Sequence, residues 1–206
     1  MLSESIIFDV DGTLWDSVSL VAKGWNVGLE KLGLEPVCTT EGIRPLFGKT
    51  MDQIAAMLLP EVPEEKRMDR MEYLMEWENR VLEEEPCEVF YPGVKETMEA
   101  LAKNHRLFIV SNCQKGYIEI CMEKGGFASW IVDHACFGDT GTPKGETILT
   151  LMKRNNVTGA VYVGDTQGDM EATHFAGLPF IWASYGFGQP EKWEHRITEF
   201  AQLLEL

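Results

Sequence analysis

An apolar run that ends in two closely spaced carboxylates constrains the fold of this chain more than any other stretch. Within residues 5–14, three large apolar residues are followed by Asp9 and Asp11, with Val10 between them. This pattern predicts a buried strand that ends in a polar turn. In a parallel α/β sheet, active sites lie beyond the carboxyl ends of the strands, so both carboxylates are expected side by side at that edge, while Val10 points into the core.

Two carboxylates at this spacing repel each other unless a cation or a shared proton relieves the repulsion. Because the turn offers only oxygen ligands, the sequence favours a hard divalent ion, Mg²⁺, over a metal that prefers thiolates. The residues alone leave one alternative open, a strand end with an Asx turn and no ion.

Four further segments have the apolar character of buried strands, at residues 107–110, 131–137, 160–163 and 179–182. Helical spacing of apolar residues occurs between them and after them, at 94–103, at 116–124, in a segment that ends at Arg154, and at 197–204. This alternation predicts a doubly wound parallel sheet with helices on both faces.

Polar side chains follow two of these strand candidates. Ser111 and Asn112 come after the second strand, and Asp165 and Asp169 after the fourth. Asp165 is expected at the strand end facing Asp9, with Asp169 one helical turn further along on the same side. Each pair is also typical of an ordinary helix N-terminus. An active site is favoured because both pairs follow Asp9 in the chain, each after a predicted strand.

Residues 16–86 interrupt the alternation, because helical patterns run through them and no convincing strand appears. We expect an α-helical cap domain of residues 16–86 inserted into an α/β core domain of residues 1–15 and 87–206, lying over the active site. In its loop 42–50, Arg44 and Lys49 are candidates to bind a phosphate or carboxylate of the substrate. The equal alternative is that they are surface charges flanking a helix start.

The charge balance argues against two classes of partner. Lys and Arg number 18 against 33 Asp and Glu, a formal charge of −15. We therefore expect no binding to nucleic acid or to a membrane surface. The chain has neither a leader-like N-terminal segment nor a run of about 20 apolar residues, so a cytoplasmic protein is expected. Its five dispersed cysteines indicate neither a disulfide framework nor a zinc site.

Four segments, in this order, resemble the motifs of the haloacid dehalogenase superfamily. They are Asp9-Val10-Asp11-Gly12-Thr13, Ser111-Asn112, Pro143-Lys144-Gly145 and Gly164-Asp165-Thr166-Gln167-Gly168-Asp169. The chain is similar to the phosphoglycolate phosphatase-like branch with a helical cap. One departure is visible, because the family commonly has a Lys-Pro pair where this chain has Lys144-Gly145.

The resemblance implies the catalytic roles. Asp9 would be the nucleophile that takes a phosphoryl group. Asp11 would be the general acid toward the leaving oxygen and then the general base toward water. Ser111 would bind a phosphoryl oxygen, and Lys144 would neutralise both the phosphoryl group and the crowded carboxylates.

The resemblance also implies ligands for substrate and metal. The residues assigned to substrate binding are Thr13, Asn112, Arg44 and Lys49, and Trp15 is a further candidate for substrate choice. Mg²⁺ would be held by Asp9, Asp11 and Asp165, with Asp169 as an indirect ligand.

Together these residues predict a Mg²⁺-dependent phosphatase that hydrolyses a small phosphate monoester through an aspartyl-phosphate intermediate. The expected partner is a small phosphorylated metabolite, and the expected assembly is a monomer or homodimer. A sugar phosphomutase, which shares the core residues, and a catalytically silent regulatory or binding protein remain alternatives. A dehalogenase is disfavoured, because the resemblance gives Asp11 and a Mg²⁺ site no role there.

Overall fold

The structure, a computed structural model, describes residues 3–86 and 89–206, and the chain divides into two compact units. The first consists of the described residues of Met1–Asp16 and Val89–Leu206, and the second of those of Ser17–Glu88. Cys87, at which the sequence analysis began the returning core segment, lies outside the described residues.

The first unit is built on a sheet whose neighbouring strands are all parallel. The strands are β1 (Ser5–Phe8), β2 (Arg106–Ser111), β3 (Ile131–Cys136), β4 (Val161–Gly164), β5 (Phe180–Ala183) and β6 (His195–Ile197), in the order β3-β2-β1-β4-β5-β6. The strand order reverses between β1 and β4, which is where sheets of this kind bind their ligands. The predicted α/β fold is confirmed.

The helices of the described residues are, in chain order, α1 (Val18–Lys31), α2 (Thr40–Ile43), α3 (Met51–Leu58), α4 (Glu64–Glu84), α5 (Val94–Leu101), α6 (Tyr117–Gly125), α7 (Phe137–Thr140), α8 (Lys144–Arg154) and α9 (Gln167–Phe175). Short 3₁₀ helices occupy Arg44–Leu46, Ala128–Trp130 and Phe200–Glu205. None of these helices is both long and apolar enough to cross a bilayer.

Both faces of the sheet are covered, which explains the uninterrupted apolar sequence of its central strands. On one face, Ile7 of β1 belongs to a buried cluster that includes Ile148 of α8 and Met170 of α9. The next residue, Phe8, points to the other face, where its ring lies 5.7 Å from that of Phe200. Alternate residues of one strand thus anchor two layers, and the strand end that follows is held firmly in place.

The end of the chain differs in part from the sequence prediction of a helix at 197–204, because the helix begins later and is a 3₁₀ helix. His195–Ile197 pairs with β5 as the edge strand β6, and only then does a 3₁₀ helix begin. Ile197, Phe200 and Leu203 are buried, at a spacing of three residues. That spacing suits a 3₁₀ helix as well as one face of an α-helix, so the sequence pattern alone did not separate them.

The second unit is helical throughout its regular structure, and its long helices α1 and α4 pack along each other. Gly24 of α1 makes the close approach possible, because a Cβ there would lie 2.6 Å from the Cα of Glu78. Beside it, the indole Nε1 of Trp25 donates to Oε2 of Glu78 at 2.5 Å. The buried Glu78 carboxylate of α4 is therefore bound to α1 through an indole N–H.

Candidate active site

Asp9 lies immediately after β1, at the point where the strand order of the sheet reverses. Its backbone N–H donates to the carbonyl of Val163 in β4 at 2.9 Å, which continues the pairing of the two strands beyond Phe8. Asp9 as a whole residue is only 2% exposed. The first carboxylate of the opening motif is therefore held at the sheet edge by main-chain pairing.

Asp165 lies at the same edge, directly after β4. Its Oδ2 accepts hydrogen bonds from the backbone N–H groups of Phe187 at 2.6 Å and Gly188 at 3.3 Å. Its Oδ1 is buried and has no hydrogen-bond partner among the described residues. A buried carboxylate oxygen without a donor is costly unless a cation takes that place.

Lys144 and Asp169 complete a charged cluster with Asp9. The Nζ of Lys144 donates to Oδ1 of Asp9 at 2.9 Å and to Oδ1 of Asp169 at 2.6 Å, and all three side chains are buried. The other oxygen of Asp169 accepts from the backbone N–H of Asp165, and from the backbone and hydroxyl of Thr166. Asp169 therefore has both oxygens occupied by protein donors.

The electrostatics of the cluster follow from burial and crowding. Burial and the neighbouring Asp169 raise the pKa of Asp9 to about 7, against the opposing effect of Lys144. Burial, together with Asp169 and Asp9, holds the pKa of Asp165 well above its usual range. The site thus contains more carboxylate than one lysine neutralises.

Lys144 and Asp169 form the shorter of the two ion pairs, and the pKa of each is shifted against the effect of burial. Burial alone would raise the pKa of Asp169, but Lys144 and the Thr166 donors hold it below its ordinary value. Burial alone would lower the pKa of Lys144, but Asp169 and Asp9 keep it well above its usual range. Lys144 is therefore a fixed positive charge at the end of β1.

The residues present fit a divalent cation. One oxygen each of Asp9, Asp165 and Asp169 lies within 4.8 Å of the others. Oxygen ligands of this kind suit Mg²⁺, and the unpartnered Oδ1 of Asp165 is a ready ligand. Asp169, whose oxygens are both occupied, fits the indirect role predicted for it.

The backbone around Lys144 accounts for the departure from the family's Lys-Pro pair. Pro143 is the N-cap of α8 and Lys144 is the first helical residue. At Gly145 a Cβ would lie 2.6 Å from the ring of Phe175 and 3.2 Å from the carbonyl oxygen of Ala172, both in α9. The glycine thus permits α8 and α9 to pack closely while Lys144 reaches the cluster.

The predicted phosphoryl-binding residues are at the same edge of the sheet. Ser111 is the last residue of β2, the neighbour of β1, and it is buried, with Asn112 directly after it. The hydroxyl Oγ1 of Thr13 is buried without a hydrogen-bond partner in the described residues, while its carbonyl accepts from Tyr185. Their roles in binding substrate stay predictions.

The Asp11 carboxylate is not part of the acid cluster. Its Oδ1 accepts hydrogen bonds from the indole Nε1 of Trp15 at 2.9 Å and from the hydroxyl of Tyr117 at 2.7 Å. Trp15 is fully buried, so the expectation that it contacts substrate is not supported by its position. The sequence analysis did not foresee either contact, since nothing in the pattern around residue 117 distinguishes a donor to Asp11 from a core tyrosine.

The main-chain donors Phe187 and Gly188 belong to the turn 185–188 after the fifth predicted strand, which the sequence marks as a possible pocket lining without predicting a contact with Asp165. The glycines of this turn were the available sequence signal for a close contact. At Gly186 a Cβ would lie 2.3 Å from the carbonyl oxygen of Gly12, so only glycine fits there. That close contact brings the turn against the opening motif.

Arg44 and Lys49 belong to the second unit. Arg44 begins the 3₁₀ helix Arg44–Leu46, and Lys49 precedes α3; both are partly exposed. Their proposed contact with substrate stays a prediction.

Solved structures share this fold. The crystal structure of a predicted phosphoglycolate phosphatase from Haemophilus somnus has a TM-score of 0.82 at 23% identity, covering 98% of this chain and 96% of that chain. The crystal structure of a predicted phosphatase from Clostridium acetobutylicum has a TM-score of 0.83 at 20% identity, with both chains covered completely. At these identities the likeness concerns the fold.

Proteins named phosphoglycolate phosphatase are similar to this chain in sequence as well. The phosphoglycolate phosphatase of Aquifex aeolicus is 31% identical over 193 residues, covering 88% of this chain and 85% of that protein. The phosphoglycolate phosphatase of Pseudomonas fluorescens is 29% identical, covering 92% and 73%.

The family follows from a match to the family model described as haloacid dehalogenase-like hydrolase, which spans residues 6–183 and so includes every residue of the acid cluster. This chain belongs to the haloacid dehalogenase-like hydrolase family. It is an enzyme, a phosphoric monoester hydrolase, as the resemblance in its sequence implies.

Proposed function

We propose that this enzyme is a Mg²⁺-dependent phosphatase that hydrolyses a small phosphate monoester through an aspartyl-phosphate on Asp9. The observation that carries the proposal is the buried Asp9 carboxylate, paired with Lys144 and adjacent to the unpartnered Oδ1 of Asp165. A buried nucleophile next to a fixed cation and a set of carboxylate oxygens that suits a divalent cation is typical of phosphoryl transfer.

The reaction divides between two carboxylates. Asp9 attacks phosphorus in line, and Lys144 and Ser111 bind the oxygens on which negative charge increases. Asp11 gives its proton to the leaving alcohol. It then takes a proton from the water that hydrolyses the aspartyl-phosphate, releasing orthophosphate and restoring Asp9.

The metal site would be formed by Asp9 and by Oδ1 of Asp165, with Asp169 acting through its bonds to Lys144 and Thr166. Asp11 stays a predicted ligand. When bound, Mg²⁺ supplies positive charge that stabilises the negative phosphoryl oxygens.

The first substrate to test is 2-phosphoglycolate, because curated relatives that cover most of this chain are named phosphoglycolate phosphatases. Arg44 and Lys49 of the second unit are the cations proposed to recognise the substrate's second anionic group. They would distinguish a carboxylate-bearing phosphate ester from a neutral one.

The test measures orthophosphate release from a panel of phosphate monoesters: 2-phosphoglycolate, sugar phosphates, nucleoside monophosphates and p-nitrophenyl phosphate. The wild-type enzyme is compared with Asp9→Asn, with and without a chelator. We expect turnover that is abolished in Asp9→Asn, lost with chelator and restored by Mg²⁺. Acid-quenched wild-type enzyme should yield a peptide containing Asp9 with an added phosphoryl group.

The matched control is Asp69→Asn, which makes the same chemical change at an exposed position of α4 and should retain turnover. Orthophosphate release that persists in folded Asp9→Asn would overturn the proposal. Conversion of a sugar 1-phosphate to its 6-phosphate without net release of orthophosphate would indicate a phosphomutase in place of a phosphatase.

A further inference from the structure

The Asp11 carboxylate is held by two donors that come from different parts of the first unit. Trp15, four residues further along the opening loop, donates its indole N–H to Oδ1 at 2.9 Å. Tyr117, the first residue of α6, donates its hydroxyl to the same oxygen at 2.7 Å. Both bonds converge on one of the two carboxylate oxygens.

The two donors are fixed by packing, whereas Asp11 itself is partly exposed. Trp15 is 0% and Tyr117 1% exposed. Their rings meet edge to face with centroids 5.4 Å apart, and the other side of Trp15 packs on Phe90 at the same distance. The loop is closed by main-chain bonds as well, from Gly12 to Trp15 at 2.9 Å. The donors therefore form a rigid support for a carboxylate at the edge of the site.

The chemistry of the donors determines how the Asp11 carboxylate is held. An indole N–H can donate but never accept, so the oxygen facing Trp15 has to be an acceptor. The hydroxyl of Tyr117 donates to the same oxygen. The two bonds therefore hold the Asp11 carboxylate in one orientation.

We infer that Trp15 and Tyr117 are positioning residues that orient the Asp11 carboxylate for the proton exchange of the reaction. In the first half, the Asp11 proton passes to the ester oxygen as the bond from that oxygen to phosphorus breaks and the bond from Asp9 to phosphorus forms. In the second half, a water proton passes to Asp11 as the water oxygen bonds to phosphorus and the Asp9–phosphorus bond breaks. This inference rests on the proposed phosphatase mechanism.

The experiment compares kcat/KM for two phosphate esters whose leaving groups differ in their need for a proton. The p-nitrophenolate of p-nitrophenyl phosphate leaves without protonation, whereas the alkoxide of an alkyl phosphate needs the general acid. Values of kcat/KM, which report the step up to ester cleavage, are measured for p-nitrophenyl phosphate and for the best alkyl monoester of the panel. The enzymes compared are wild type, Tyr117→Phe, Trp15→Phe and Asp11→Asn.

We expect Asp11→Asn to lower kcat/KM for the alkyl ester by about 10²-fold or more, the scale of general acid catalysis, and for the aryl ester far less. Tyr117→Phe and Trp15→Phe should each lower the alkyl value by about tenfold and the aryl value by less than about threefold. A purely structural role would lower both values equally.

The matched control is Trp25→Phe, which removes an indole–carboxylate hydrogen bond in the second unit and should leave the alkyl-to-aryl ratio unchanged. Tyr117→Phe retains the ring, so it tests the hydroxyl even if Trp15→Phe fails to fold. Equal losses on both esters in Tyr117→Phe, with Asp11→Asn selective, would overturn the positioning role. An unselective Asp11→Asn would instead overturn the acid assignment within the proposed function.

Discussion

Each of the two units contains a carboxylate that accepts a hydrogen bond from a buried indole. In the first unit Trp15 donates to Asp11 at 2.9 Å, and in the second Trp25 donates to Glu78 at 2.5 Å. Asp11 is partly exposed and lies two residues from the acid cluster, whereas Glu78 is buried between two long helices. We therefore expect the same kind of hydrogen bond to have two different roles. At Asp11 it would orient the proposed general acid, and at Glu78 it joins α1 to α4.

The difference shows that the surroundings of a buried carboxylate decide its use. Asp9, Asp165 and Asp169 are crowded at one sheet edge with a single lysine, and the repulsion suits them to bind a cation and a phosphate ester. Glu78 has no such acidic cluster among the described residues. We therefore expect substitutions around the sheet edge to affect turnover, and substitutions around Glu78 to affect the free energy of unfolding.

The largest effect is expected for Lys144→Ala. The substitution removes the cation that neutralises Asp9 and Asp169 and that is proposed to bind the phosphoryl group, so kcat should fall by about 10³-fold. The measurement is steady-state orthophosphate release from the best substrate. Lys153→Ala, an exposed position in the last turn of the same helix, is the control and should keep its activity. A loss below about tenfold in Lys144→Ala would show that the cluster needs no lysine.

A smaller, purely energetic effect is expected for Trp25→Phe. The variant removes the indole donor from the buried Glu78 carboxylate, and a hydrogen bond to a charged group contributes about 1.5–3 kcal/mol. The free energy of unfolding from denaturant titration should fall by that amount. An unchanged midpoint in Trp25→Phe would mean that this bond contributes no stability, and the contrast between the two units would fail.

Gly24→Ala tests the packing of α1 on α4 directly. The added Cβ would lie 2.6 Å from the Cα of Glu78, so the helices must separate, at a cost of about 1–3 kcal/mol. Gly159→Ala is the control, because a Cβ there has no atom within 4 Å and its φ is not positive. Equal unfolding free energies for the two variants would contradict the close approach.

The smallest effect concerns a partly exposed carboxylate. Two nitrogens on one edge of the Arg154 guanidinium, Nε and Nη2, donate to the two carboxylate oxygens of Asp133, at 2.6 and 2.7 Å. Partial burial raises the pKa of Asp133, but Arg154 and Asn155 outweigh it and bring the pKa below its ordinary value of 3.8. The pair should contribute about 0.5–1 kcal/mol, as partly exposed pairs do.

The sign of its pH dependence follows from the lowered pKa. A carboxylate whose pKa is lower in the folded state than in the unfolded state stabilises the folded state at pH values above the unfolded pKa. This stabilisation is lost as the pH falls through the folded pKa. The difference in unfolding free energy between wild type and Asp133→Asn should be constant from about pH 7 to 5 and shrink below about pH 4. A difference that grows on acidification would contradict the pairing.

The α/β class, the family and the residues at the sheet edge, Asp9, Lys144, Asp165 and Asp169, could be predicted from the sequence alone. This was possible because strand ends are marked locally: an apolar run buried on both faces must stop where the chain turns polar, and parallel strands end at one edge. The end of the chain was predicted only in part, because the spacing of Ile197, Phe200 and Leu203 fits two local structures and the edge of β5 decided between them.

Which groups meet across the chain depends on the tertiary structure. Tyr117 reaches Asp11 across 106 residues of chain, and the Phe187 N–H reaches Asp165 across 22. It also decided that Trp15 is buried against Tyr117 and Phe90, and that Gly145 permits Phe175 to pack against α8. Hydrogen bonds and close packing between distant segments leave no periodic mark in the sequence, because they depend on where whole helices and turns come to rest against the sheet.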